Sequence, residues 1–130
     1  MSETANNQSL TDLVSPTTKR EDFAKRVGEI LEPDEVINLD PNREEATNKL
    51  VEALSYMGAF APSPATFDKD AFKFTAGFDL DDEAVNTAWD FLLRTGIFVD
   101  ESKTSPGRVS IEQKTVDMLR DTKNGFLTED

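Results

Sequence analysis

The stretch LDDEAVNTAWDFLLRTG, residues 80–96, limits what this chain can fold into more than any other. Asp81 stands where a helix N-cap belongs, and Val85, Trp89 and Leu92 come after it at helical spacing. Gly96 stops the helix just past Arg94 and Thr95. IFVD then reads as a short strand, ESKTSPG as a turn and RVSI as the returning strand. The expected fold class is therefore mainly α with a small β-hairpin.

The rest of the chain supplies helices on either side. SPTTKREDFAKRVGEILEPDEV predicts a helix with a Thr18–Glu21 capping box, ended by Pro33, with Phe23, Val27, Ile30 and Leu31 on one face. That face either packs on the rest of the chain or serves as a partner or dimer surface. A turn through NLDPN leads to a second helix, capped by Asn42 with Glu45 three residues on. Ala46, Leu50, Leu54 and Met57 form its apolar stripe, and Gly58 suits a left-handed exit. Pro62 and Pro64 mark a connector flanked by Phe60 and Phe67, which either clamp it to the core or form a binding edge. FDKDAFKFTAG fits strand and helix alike. The helical pattern downstream of Leu80 favours the helix, with Phe74 inward and Phe72 on the surface as an interface candidate. Ser110 with Gln113 opens a closing helix that turns Ile111, Thr115 and Met118 or Leu119 inward and ends at Asn124-Gly125. Residues 1–14 are polar and aperiodic, the signature of a flexible N-terminal arm.

Phe74, Phe78, Leu80, Asp81, Val85, Trp89, Leu92 and Gly96, with a strand, loop and strand after them, resemble the winged helix-turn-helix family over about residues 45–112. Two helices that cross steeply through a short turn share one small core only if each presents an apolar residue every third or fourth place. The resemblance implies a winged-helix domain at 42–122, preceded by an N-terminal helix and connector at 15–41, with a tail at 123–130. An unrelated small helical bundle is the bland alternative. In DNA-binding members of the family, the third helix enters the major groove and the wing touches the backbone. By position, that face carries Asp82, Glu83, Asn86, Thr87 and Asp90, and the wing carries Lys103 and Arg108.

Charge argues against DNA on that face. The chain has 26 acids and 14 bases, a net charge of −12. Residues 70–116 alone hold nine acids against five bases, a net of −4. Affinity for DNA comes mostly from Lys and Arg on phosphates, and a basic stripe is missing. The acidic face suits another protein, or a second copy of this chain, better than nucleic acid. The diffuse acid also fits a salt-adapted cell, where phosphate attraction is screened and an acidic DNA-binding regulator is conceivable.

Composition excludes most chemistry. No Cys and no His leave no thiolate, no imidazole base and no common zinc ligand. Adjacent carboxylates such as Glu44-Glu45 and Asp81-Asp82 diverge rather than converge on a substrate. The run Asp79-x-Asp81-x-Glu83 fails as a calcium loop, because Ala84 replaces the required Gly and Val85 belongs to the core stripe. Trp89 belongs to the same stripe, so its expected place is the core. No cofactor, metal, small-molecule substrate or membrane span is expected, and the expected compartment is the cytoplasm or an assembly formed there. The functional expectation is a non-enzymatic interaction module, an adaptor or assembly subunit of a regulatory or viral complex.

Overall fold

The computed structural model describes residues 10–15, 17–60, 66–76 and 81–121; the expected arm before residue 10, the connector prolines, Phe78, Asp79, Leu80 and the Asn124-Gly125 stop lie outside them. Over those residues the chain is mainly helical, with six α-helices and one small three-stranded antiparallel sheet.

Helix α1 (Arg20–Ile30) begins one residue later than the expected Thr18 cap would start it. Lys19 takes the N-cap place without a side-chain hydrogen bond. Thr18 is committed elsewhere: its hydroxyl donates to the Leu13 carbonyl at 2.7 Å and accepts from the Ser15 N–H at 3.0 Å. Phe23 and Val27 are buried at 0% and 1% exposure, on a helix that packs against the one over residues 43–60. They are core residues, so of the two expected alternatives the face packs on the rest of the chain, and Phe23 and Val27 are corrected as interface candidates.

α1 stops at Ile30, short of Pro33 as expected, but Pro33 then opens a second helix, α2 (Pro33–Leu39), that takes in Asn38 and Leu39 of the expected turn. Proline costs nothing at a first helical position, where its missing N–H has no partner to lose. Glu32 and Glu35 form a reciprocal capping box around it. The exposed carbonyls at the end of α1 are met by Arg43, whose Nη1 donates to Gly28 and Leu31 at 2.7 and 2.9 Å.

Helix α3 (Arg43–Phe60) has the expected cap, with the Glu45 N–H donating to Asn42 Oδ1 at 3.0 Å. Ala46, Leu50, Leu54 and Met57 are all buried, as their spacing predicts. Gly58 is no exit, since the helix runs two residues past it. A Cβ there would overlap the Leu119 side chain, so glycine is needed for the close approach of the last helix.

A two-residue strand, β1 (Phe67–Asp68), leads directly into α4 (Lys69–Ala76). Asp68 caps α4 by accepting from the Ala71 N–H at 2.9 Å. This start sets the register: Phe72 points inward at 0% exposure and Phe74 outward at 88%. The assignment of Phe72 to the surface and Phe74 to the core is thus reversed. Phe72 joins Phe67, Trp89 and Phe98 in an aromatic cluster, with ring centroids 5.4 Å apart for Phe72–Phe98 and Trp89–Phe98.

Helix α5 (Asp82–Arg94) has the expected cap, Asp81 Oδ1 accepting from the Ala84 N–H, and Gly96 leaves it at φ 87°. Strands β2 (Phe98–Asp100) and β3 (Arg108–Ile111) pair with Phe98 opposite Ile111. β1 pairs with the free side of β3, Phe67 opposite Val109, so the order is β1-β3-β2 and the expected hairpin gains a third strand. Ser110 lies in β3 and donates to Glu101 at 2.6 Å rather than opening the last helix. That helix, α6 (Gln113–Leu119), buries Thr115, Met118 and Leu119 as expected.

Residues 10–14, expected within the arm, are docked. Leu10 and Val14 are 0% and 5% exposed, and the Leu10 N–H donates to the Thr95 carbonyl at 3.1 Å. One hydrophobic core runs from Leu10 to Leu119, so packing continues across the expected boundary at residue 42.

Candidate interaction face on α4 and α5

The outward side of α5 is built by exclusion. Ala84, Val85, Thr87, Ala88, Trp89, Phe91 and Leu92 face the core, which leaves Asp82, Glu83, Asn86 and Asp90 in solvent. Four of the five residues expected on this face are there. Thr87 is not: it is 8% exposed, on the buried side between Ala84 and Phe91.

Two lysines of helix α4 reach α5 and contribute what the sequence did not signal. Lys69 and Lys73, one turn apart, reach Asn86 and Asp82, also one turn apart on α5. Lys69 Nζ donates to Asn86 Oδ1 at 2.9 Å and lies 5.9 Å from the Trp89 ring centroid. Lys73 hydrogen-bonds Asp82; that contact holds the Asp82 carboxyl below its ordinary range and raises the lysine. Glu83 and Asp90 have no hydrogen-bond or ion-pair partner among the described residues. Phe74 stands beside Lys73 with its ring in water. No sequence signal separates it from Phe72 unless the start of α4 is known.

The cations that a nucleic-acid reading would need are occupied. Arg94 grips Glu35 of α2 with two prongs, Nη2 to Oε1 at 2.8 Å and Nε to Oε2 at 3.2 Å. Its Nη2 also donates to the Ile30 carbonyl at 3.0 Å, and the guanidinium lies 5.0 Å from the Phe91 ring centroid. Glu35 raises the arginine further. Arg108 opens β3 as expected, but its side chain is turned to Thr66 and ties the strand to it: Nε to Oγ1 at 2.9 Å and Nη2 to the carbonyl at 2.7 Å. Lys103 is exposed on the loop, with no hydrogen-bond or ion-pair partner among the described residues. Beside it, Asp100 is held below its ordinary range by hydrogen bonds from Ser102.

No family profile, curated protein or solved structure matches this chain. Site chemistry therefore carries the functional argument. Among the described residues no group of three or more carboxylates is gathered to hold a metal ion, and no helix is long and apolar enough to cross a membrane. An open groove of about 1000 Å³ lies between α1 and α3, floored by Ala24, Gly28 and Thr47. Its rim mixes four cations with three carboxylates, so charge selects no ligand for it.

Proposed function

We propose that residues 43–111 form a winged helix whose α4–α5 face docks another protein rather than DNA, making the chain a non-enzymatic adaptor or assembly subunit. Support for the winged helix is the order of elements, helix, strand, two helices, then two strands, with the first strand laid against the third. A bare hairpin would leave the inner edge of β3 open; β1 closes it and brings the aromatic cluster over α5.

The observation that carries the choice of partner is the fate of the cations. Of the bases on or beside this surface, Lys69, Lys73, Arg94 and Arg108 are engaged within the molecule. Only Lys103 among them is free of such contacts in the described residues. Duplex DNA would meet Asp82, Glu83 and Asp90 with a single unoccupied cation to offset them.

A titration with mixed-sequence duplex DNA, from low to molar salt, tests this reading. The expected outcome is no saturable binding at any salt concentration. Binding that weakens as salt rises, and weakens further in Lys103→Ala, would instead make the protein an acidic DNA-binding regulator of a salt-adapted cell.

A further inference from the structure

Resting on that reading, we infer that the partner is a Lys/Arg-rich segment carrying one large apolar side chain, which covers Phe74 while its cations meet Glu83 and Asp90. Three observations converge on this occupant. Phe74 is 88% exposed, against 68% for Ile37 and 37% for Leu13, the other large hydrophobic side chains exposed among the described residues. A phenyl ring left in water on a well-formed helix gains most from an apolar cover. Glu83 and Asp90 are seven residues apart on α5, two turns on one stripe, about 10 Å along the axis. Neither has a cation among the described residues, so the face arrives with its negative charge unsatisfied.

The lysines sharpen the specificity. Lys73 adjoins Phe74 on α4, and Lys69 and Lys73 are each engaged with α5. A partner's carboxylate brought to this face would meet Glu83 and Asp90 as like charges, and pairing it with Lys73 would leave Asp82 unpaired beside Glu83. A partner's guanidinium needs no such exchange, because Glu83 and Asp90 accept it directly. An acidic segment is therefore rejected by charge, and a neutral one leaves both carboxylates as they are.

The test uses the full chain and two labelled synthetic peptides of one length. One carries arginines flanking a central leucine; in the other, glutamates replace the arginines. Fluorescence anisotropy at about 0.15 M salt should detect the arginine peptide and not the glutamate peptide. The double variant E83Q/D90N should weaken binding by roughly tenfold. E44Q/E45Q, the same charge change on the exposed start of α3, should weaken it by less than about twofold. Phe74→Ala should weaken binding several-fold without moving the melting temperature, because the ring supports no packing.

Equal losses from the two charge pairs would reduce the effect to attraction by the net charge and overturn the inference. So would absence of binding to the arginine peptide. Binding of the glutamate peptide, lost in Phe74→Ala, would also overturn it but would leave the protein-docking function standing. Duplex DNA binding would remove both.

Discussion

Phe72 and Phe74 are two residues apart and chemically identical, yet one is sealed in the core and the other stands in solvent. Their apolar spacing fits a helix in either assignment, so periodicity alone does not separate them. What decides is the cap: once Asp68 closes on Ala71, Phe72 falls against Trp89 and Phe98. Replacing Phe72 by Ala should cost about 3–5 kcal/mol of stability, through lost burial and the cavity left behind. Replacing Phe74 should stay within about 0.5 kcal/mol. Chemical denaturation of the two variants reads the difference, and equal losses would refute the register of α4. The candidate site was legible to the same degree. Asp82, Glu83, Asn86 and Asp90 emerge from the helical period, while Thr87, one place from Asn86, turns to the buried side. That Lys69, Lys73, Arg94 and Arg108 are engaged was beyond reach, because each depends on a partner from another element or from the residues before it.

At the scale of elements, α3, α5, β2 and β3 could be read directly, since each carries its own cap or period and a glycine, proline or polar turn at its end. Helix α2 was missed because it is only seven residues long and opens with a proline, which reads as a stop to anything preceding it. The Glu32–Glu35 box was the available signal. β1 is two residues long, too short to alternate, and exists because β3 offers it an edge. Gly58 shows how a residue's role depends on the neighbouring helix. It has the look of a C-terminal stop, yet its function is to let α6 approach, with Arg120 Nε donating to its carbonyl at 2.7 Å. Gly58→Ala gains about 1 kcal/mol in helix propensity and then loses about 1–3 kcal/mol to overpacking against Leu119. The net effect should be destabilising. Gly28→Ala is the contrast: its new methyl would meet the Thr47 hydroxyl at 3.2 Å, a tight contact of two atoms rather than an overlap. Thermal melts should order the variants with Gly58→Ala lower, and the reverse order would contradict the α3–α6 contact.

Over the whole molecule, a net charge of −12 on 130 residues makes the folded state repel itself. Raising the salt from about 0.01 M to 1 M shortens the screening length from about 30 Å to about 3 Å, so the melting temperature should climb with sodium chloride. A flat response would mean that the acid is spaced too widely to matter. Acid has a separate effect. Asp40, which accepts from the Asn42 N–H and from Lys49, has its carboxyl lowered from 3.8, as do Asp82 and Asp100. A carboxyl lowered on folding contributes stability that is present above its unfolded value and lost as pH falls through its folded one. Melts taken in high salt should therefore hold steady down to about pH 4 and fall below pH 3.8, less steeply in Asp40→Asn. Finally, the attachment of Leu10 to Thr95 has a mechanical side. It lies at the C-terminal end of α5, about 20 Å along the axis from Asp82. A pull transmitted through residue 10 loads that hydrogen bond and the buried Leu10 side chain first, then the Lys114 bond to the Thr11 carbonyl. Such a load enters the molecule away from the α4–α5 face.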